Sequence, residues 1–204
     1  MIFKRILPLL FAVVALSAAA RASTVFNFDS DSLGTSTNFT DTVNGLSATF
    51  SSAADPGGFV VYPSMFDTLT GNVLGDPGPA GQDNLALGIA FDSELNAIEL
   101  DFATSDFTVP SPFTLAAYQN SQLVGSTTTS GMFLNGFFFP EGEIAFGGAN
   151  FNNVVISSPA MDFAVDNINV NAVPEPGPLS LVALGLGFLI AGSVRIKGRA
   201  RRLA

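Results

Sequence analysis

The stretch Ile98-Glu99-Leu100-Asp101-Phe102 alternates apolar and acidic side chains one by one. Successive side chains of a β-strand point to opposite faces of a sheet, so this period of two predicts a strand with one buried and one solvent-facing side. Working outward, similar alternation, clean or partial, occurs at 25–28, 46–50, 59–62, 85–91, 113–118, 123–129, 151–156 and 163–170. Between residues 23 and 172 the pattern shows no helical periodicity.

Turn-forming clusters separate many of these segments. They are Asp55-Pro56-Gly57-Gly58, Gly75-Asp76-Pro77-Gly78-Pro79 and Gly147-Gly148-Ala149-Asn150. Proline presets the first dihedral angle of a turn and glycine accepts a positive φ, so these clusters predict chain reversals. Many short strands at near-regular spacing predict that residues 23–172 form an all-β domain, a jelly-roll-like antiparallel β-sandwich.

The N-terminal residues 1–22 predict a secretory signal peptide. Lys4 and Arg5 form a basic head, an apolar stretch follows, and Ala20-Arg21-Ala22 places small residues at the two positions that a signal peptidase inspects. We expect cleavage between Ala22 and Ser23, with signal peptidase as the partner.

The C-terminal residues predict one transmembrane helix with a basic end. Residues 179–194 carry no charge, and as a helix they would be about 24 Å long, short of the roughly 30 Å hydrocarbon core. The basic residues that follow resist translocation and predict a cytoplasmic tail, with the body of the protein outside. They are Arg195, Lys197, Arg199, Arg201 and Arg202.

The end of the chain resembles a known sorting signal. Val173, Pro174, Glu175 and Pro176, followed by the apolar segment and the arginine-rich end, resemble the PEP-CTERM sorting tail of Gram-negative bacteria over residues 173–204. The resemblance implies that an exosortase, a membrane-embedded enzyme, recognises the motif, and that the host makes exopolysaccharide. The alternative is an ordinary single-span anchor with a proline-rich stalk.

The charge of the body excludes several functions. All eight Lys and Arg lie outside residues 23–172, whereas sixteen of the seventeen acids lie inside, which gives this segment a formal charge of −16. Binding to nucleic acid phosphates needs basic residues, so we exclude nucleic acid as a partner. The chain has no Cys and no His, which excludes disulfides, Cys nucleophiles, Ser/His/Asp triads and the usual zinc sites.

An acid-pair glycosidase is the enzyme class that this composition leaves open. The candidate pairs are Glu99 with Asp101 and Glu141 with Glu143, each two residues apart on one strand face. The first pair resembles the Glu-x-Asp-x-x-Glu strand of laminarinase-like glycosidases, but Thr104 stands where that pattern has its second glutamate. Because there is also no Trp to stack on sugar rings, we predict solvated acids and no enzymatic activity.

Acidic residues at both ends of the body suggest a structural calcium site. First and last strands of a jelly roll often pair, which would bring Asp29 and Asp31 near Asp166 and Asn167. Calcium prefers several oxygen ligands of this kind. We therefore hypothesise a Ca²⁺ site at these four residues, with turn and capping roles as the alternative. The acidic segment 76–84 is a weaker candidate for the same ion.

These features predict an exported protein, anchored at least transiently by its C-terminal helix and then placed at the cell surface or in the extracellular matrix. The body of many PEP-CTERM proteins is a jelly roll, which this strand order resembles, as it more distantly resembles carbohydrate-binding modules. The leading function is a non-enzymatic structural or interaction role associated with exopolysaccharide. The alternative is a carbohydrate-binding module, with or without a supporting calcium ion, and a carboxylate-pair glycosidase comes third.

Overall fold

The structure is a computed structural model that describes residues 23–55, 57–76, 86–134, 136 and 138–173. Four predicted segments lie outside the described residues: the signal peptide 1–22, the motif residues 174–176, the apolar segment 179–194 and the basic tail 195–202. Within the described ranges, no helix is long and apolar enough to cross a membrane.

The described residues form eleven strands whose pairings are all antiparallel, which confirms the predicted all-β class. In chain order the strands are β1 (Ser23–Phe26), β2 (Phe39–Val43), β3 (Leu46–Ser52), β4 (Val60–Pro63), β5 (Asn72–Gly75), β6 (Ala86–Thr104), β7 (Pro112–Gln119), β8 (Gln122–Ser130), β9 (Met132–Phe133), β10 (Pro140–Ser157) and β11 (Phe163–Ala172).

The two long strands β6 and β10 form a central ribbon that is shared by two layers. The first half of β6 pairs with β3 and its second half with β11. The second half of β10 pairs with β7 and its first residues with β9. Layer one therefore has the order β2-β3-β6-β10-β7-β8. Layer two has the order β4-β5-β11-β6-β10-β9, with β1 paired to the second half of β11.

Phenylalanine rings from both layers fill the space between them. Phe102 on the second half of β6 stacks on Phe113 of β7 with ring centroids 4.0 Å apart, although these strand segments are not hydrogen-bonded neighbours. Phe163 of β11 meets the same Phe113 edge-on at 5.3 Å. The layers thus pack face to face as a β-sandwich. Ile98, Leu100 and Phe102 are buried as their alternation predicts.

Two details of the predicted strand pattern are wrong. The segments at 85–91 and 98–102 are two halves of the single strand β6. Residues 147–150 are not a turn but lie within β10, where the pairing with β6 shifts register between Gly147 and Phe151. Gly148 has a φ of 95° there, so the glycines permit an irregularity in a continuous strand. The turn at 55–58 is confirmed by a hydrogen bond from the Gly58 N–H to the Asp55 carbonyl.

The sandwich has two distinguishable ends. Ser23 pairs with Asn171, and the Val173 N–H donates to the Glu94 carbonyl at 2.8 Å, so the described chain begins and finishes at one end of layer two, which we call the tail end. Phe163, at the start of β11, pairs with Thr104 at the other end of the same layer, which we call the loop end. The pairing of first and last strands agrees with the prediction.

Candidate ligand-binding site

A pocket of about 400 Å³ opens on the outer face of layer two at the loop end. Small residues of the sheet, Ala103, Thr104 and Ala164, form its floor. Its walls come from the β4–β5 loop (64–71), the β6–β7 loop (105–111), the β10–β11 loop (158–162) and residues next to the start of β10. The sheet therefore supplies a fixed base, and the loops determine the shape of the opening.

Aromatic and methionine side chains form the rim of this pocket. The rings of Phe66 and Phe139 meet edge-on with centroids 5.7 Å apart, and Phe107 lies 5.9 Å from Phe139. Phe107 is 70% exposed, and Met65 is 62% exposed. Large apolar side chains cost free energy when they face water, so a cluster of them around an opening marks a binding surface.

Polar groups lie deeper in the same pocket. Tyr62, Asp76 and Asp162 line it together with Ser105. The pKa of the Tyr62 phenol is raised above its ordinary value by burial, and further by the charges of Asp162 and Asp76, so the phenol stays protonated. The Asp162 N–H donates to the Ser105 hydroxyl at 2.8 Å, which fixes the β10–β11 loop against the β6–β7 loop. The pocket thus combines an apolar rim with hydroxyl and carboxylate groups.

Buried carboxylates hold the β4–β5 loop that carries Met65 and Phe66. Glu141, 3% exposed, accepts hydrogen bonds from the N–H groups of Asp67 at 2.8 Å and Thr68 at 2.6 Å, and from the Thr68 hydroxyl at 2.6 Å. Further along, Asp166 accepts from the Thr70 N–H at 3.2 Å. Charge-assisted hydrogen bonds of this kind are strong, so they position one wall of the pocket.

Asp29 is a third carboxylate that accepts a backbone hydrogen bond, at the C-terminal end of the β4–β5 loop. It accepts from the Asn72 N–H at 2.9 Å. Gly71, with φ 74°, lies so close that a Cβ there would be 1.9 Å from the Asp29 Oδ1 atom. The loop is therefore fitted to this carboxylate.

The predicted calcium ligands are brought together in part. Asp166 is fully buried, and its pKa is raised to about 7 by burial, against hydrogen bonds from Asn167 and Thr70, with smaller increases from the charges of Asp29 and Asp101. The Asn167 side chain donates to Asp101 at 2.9 Å. Three of the four predicted ligands, Asp29, Asp166 and Asn167, therefore lie close together, and Asp101 is a further acidic neighbour.

Asp31, the fourth predicted ligand, has a different acidic neighbour. Burial and the charge of Asp41 raise its pKa. Among the residues that the structure describes, no group of three or more acidic side chains is arranged to hold a metal ion. Residues 77–84 of the weaker candidate segment lie outside the described ranges.

Three of the candidate glycosidase carboxylates, Glu99, Glu141 and Glu143, make contacts within the protein. Glu141 is buried and holds the β4–β5 loop. The charge of Glu99 and a hydrogen bond with it raise the pKa of Glu143, so these two carboxyl groups touch. Catalytic carboxylates stand roughly 5–9 Å apart with the sugar between them. The Thr104 hydroxyl donates to Asp106 at 2.8 Å, where β6 ends and the β6–β7 loop begins.

The aromatic rim is the feature that sequence reasoning missed. In the segment 131–140, Phe139 lines the pocket, and Phe138 and Met132 nearby are 78% and 70% exposed. Its unusual run Phe137-Phe138-Phe139 without alternation was the available signal. A strand with one buried face would have interrupted such a run with polar residues.

No protein-family model matches the chain, and no curated protein sequence matches it. Its fold is similar to that of the K2 cleaved adhesin domain of Lys-gingipain, with a TM-score of 0.50 and 15% identity over 73% of this chain and 99% of that domain. The K1 cleaved adhesin domain of Lys-gingipain from Porphyromonas gingivalis W83 gives a TM-score of 0.48 and 9% identity over 74% and 98%.

A family 35 carbohydrate-binding module from Clostridium thermocellum is similar at a TM-score of 0.37, with 14% identity over 73% of this chain and 97% of the module. At such identities, similarity to the K2 domain concerns the fold alone. The chain is thus an antiparallel β-sandwich similar in fold to a bacterial adhesin domain.

Proposed function

We propose that this protein is an exported, non-enzymatic carbohydrate-binding domain that acts at the cell surface or in the extracellular matrix. The observation that carries the proposal is the pocket at the loop end, with Phe66, Phe107 and Phe139 at its rim and Tyr62 and Asp162 inside it. A sugar ring has an apolar C–H face that packs on an aromatic ring and hydroxyl groups that need hydrogen-bond partners. The pocket offers both.

Carbohydrate binding was the alternative predicted from the sequence, and we now favour it over the leading prediction of a structural or interaction role. A purely structural matrix component has no need of an exposed aromatic rim, because exposed rings favour association with a partner. Similarity in fold to an adhesin domain supports an interaction role as well. A glycosidase is not proposed, because Glu99 and Glu143 contact each other and Glu141 serves the loop.

Glycan binding with rim variants tests this function. We expect the full-length chain to bind a subset of glycans on an array, and Phe107→Ala and Phe139→Ala to weaken that binding at least tenfold in titration calorimetry. Leu123→Ala, which removes an exposed apolar side chain from β8 in layer one, is the matched control and should leave binding unchanged. Equal effects of Leu123→Ala and Phe139→Ala, or no binding to any glycan, would contradict the proposal.

We also propose the delivery route that the two ends of the sequence predict. The supports are the signal-peptide pattern of residues 1–22 and the Val173-Pro174-Glu175-Pro176 motif followed by the apolar and basic segments. We further propose that the sandwich is a jelly roll, as in many proteins with such a tail; the pairing of β1 with β11 supports this topology. Intact mass of the protein from its host tests the delivery route. A mass from Ser23 to about Pro176 agrees with exosortase processing, and a mass that runs to Ala204 favours a plain anchor.

A further inference from the structure

We propose that the domain has a second binding site, for an uncharged sugar unit of a polysaccharide, on the outer face of layer one. The site is a pocket of about 450 Å³, which we call the layer-one pocket. Pockets for small ligands typically have volumes of about 300–1,000 Å³. The layer-one pocket shares no lining residue with the loop-end pocket, so this inference goes beyond the proposed function and does not depend on it.

One row of side chains across three strands forms the floor of the layer-one pocket. Asn153 of β10 pairs directly with Ala90 of β6 on one side and with Tyr118 of β7 on the other. Directly paired residues of antiparallel strands place their side chains on the same face of a sheet, so these three lie side by side. Val155, two residues further along β10, lines the pocket from the same face. The small Ala90 side chain leaves space beside the Asn153 amide.

The β7–β8 turn forms a wall of the pocket, and a pair of amides holds this wall in place. Asn120 and Ser121 make up the two-residue turn, with φ of 49° and 69°. The Asn120 N–H donates to the Asn152 Oδ1 atom at 3.1 Å, and the Asn152 Nδ2 atom donates to the Asn120 Oδ1 atom at 3.2 Å. Each side-chain amide keeps at least one further N–H. The wall is therefore ordered before a ligand binds, which lowers the entropic cost of binding.

The chemistry of the lining matches an uncharged sugar. No Asp, Glu, Lys or Arg is among the described residues that line this pocket. Its polar groups are amides and hydroxyls, which donate and accept hydrogen bonds as sugar hydroxyls do; they belong to Tyr118, Asn120, Ser121, Asn152 and Asn153. A carboxylate, sulfate or ammonium group would lose hydration on entering and find no opposite charge among these side chains.

Tyr118 supplies both kinds of contact that a sugar unit requires. Its ring offers an apolar surface for the C–H face of a sugar, and its hydroxyl offers a hydrogen bond. Neither this hydroxyl nor the Asn153 amide is hydrogen-bonded to another described residue, so both groups are available to a ligand. Both side chains are half-buried, which keeps them accessible within a shaped surface.

Tyrosine fluorescence tests the location of this site. The chain has no Trp and only two Tyr, of which Tyr62 lines the loop-end pocket and Tyr118 the layer-one pocket. In full-length Tyr62→Phe, kept in a non-ionic detergent, the tyrosine emission comes from Tyr118 alone. The probes are neutral hexasaccharides of glucose, galactose and mannose, with hexamers of galacturonic acid and of glucosamine for comparison. We expect a saturable change with at least one neutral hexasaccharide, and at least tenfold weaker binding of both charged hexamers.

Variants on the same sheet face give the matched comparison by titration calorimetry. Asn153→Ala should weaken binding of the neutral hexasaccharide at least tenfold. Thr114→Ala, four residues before Tyr118 on the same strand and face but outside the pocket, should change it less than twofold. If Asn153→Ala does not fold, Asn120→Gly keeps the positive φ of the turn while removing one amide, and it should weaken binding at least fivefold.

Several outcomes would overturn the inference, and they separate it from the proposed function. Equal weakening by Thr114→Ala and Asn153→Ala, tighter binding of a charged hexamer, or no binding of any neutral hexasaccharide would each do so. Binding that is lost in Phe139→Ala but kept in Asn153→Ala would remove the layer-one site and leave the loop-end site intact. Binding that is lost in Asn153→Ala but kept in Phe139→Ala would support the layer-one site and contradict the function proposed for the loop-end pocket.

Discussion

At the scale of single residues, the acidic side chains of residues 23–172 share their own segment with no basic residue, and three of them bind backbone N–H groups instead. Glu141, Asp166 and Asp29 accept hydrogen bonds from backbone N–H groups of residues 67–72. A buried carboxylate without such partners would be costly, and a loop with unpaired N–H groups near the sheet would be costly too. One set of hydrogen bonds therefore satisfies both, and it fixes the wall of the pocket.

Glu141→Gln should destabilise the protein by about 2–3 kcal/mol, because the amide nitrogen cannot accept the hydrogen bonds that one carboxylate oxygen now receives. Urea denaturation measures this. Glu143→Gln, two residues away on the exposed face, is the control and should change the free energy of unfolding by less than about 0.5 kcal/mol. An equally mild effect at Glu141 would contradict the role given to this carboxylate.

Asp166 should make stability depend on pH. Burial raises its pKa from 3.8 to about 7, so between about pH 4 and pH 7 the folded protein holds a proton that the unfolded chain has lost. The contribution of this group is complete below pH 4 and is lost as the pH rises to about 7. Asp101→Asn removes one charge that raises this pKa, so the fall in unfolding free energy from pH 4.5 to 7.5 should be smaller in the variant. The same fall in both proteins would contradict the assignment.

Calcium at Asp29, Asp31, Asp166 and Asn167 stays a prediction. If it binds, the melting temperature of the native chain should rise in millimolar Ca²⁺, since a ligand that binds only the folded state stabilises it. Asp29→Asn should remove the rise while keeping an oxygen for the Asn72 N–H. Asp92→Asn should keep it. No heat and no melting shift on adding Ca²⁺ would exclude the site.

At the scale of elements, the period-two alternation predicted where strands occur. It did not predict strand lengths that depend on pairing with distant parts of the chain. The alternation at Ile98 to Phe102 is local, so it could be seen in the sequence. The continuity of β6 and β10 could not, because their register shifts depend on partners far along the chain. The Asn44-Gly45 hairpin between β2 and β3, with φ 52° and 82°, has the Asn-Gly sequence typical of a two-residue turn. The pocket could not be predicted, because its walls come from three separate loops.

The β4–β5 loop offers a test that separates backbone strain from close contact. Gly34 and Gly71 both have φ near 80°, but only Gly71 has an atom in the way, Asp29 Oδ1 at 1.9 Å from an added Cβ. Gly34→Ala should cost about 1 kcal/mol from strain alone, and Gly71→Ala at least about 2 kcal/mol. Thermal and urea denaturation measure both. Equal losses would show that Asp29 moves aside without consequence.

At the scale of the whole body, residues 23–173, the two ends of layer two carry different features. The chain enters and leaves at the tail end, where Ser23 pairs with Asn171. The aromatic pocket lies at the loop end, beyond the start of β11. The ten residues of β11 separate these ends by about 33 Å. The described termini of the body and the pocket therefore lie at opposite ends of layer two.

Together with the proposed C-terminal anchor, the separation of the two ends predicts unequal access to a bilayer. The natural chain has no cysteine, so single cysteines can be labelled selectively. Ser121 lies at the tail end, since the neighbouring Asn120 N–H donates to Asn152 and Gln119 donates to Glu94, whereas Val109 is 74% exposed at the loop end. In liposomes that hold the full chain, lipid-attached quenchers should quench a fluorophore at Ser121→Cys more than one at Val109→Cys. The reverse order would mean that the aromatic rim contacts lipid, which would turn the pocket from a glycan site facing the matrix into a membrane contact.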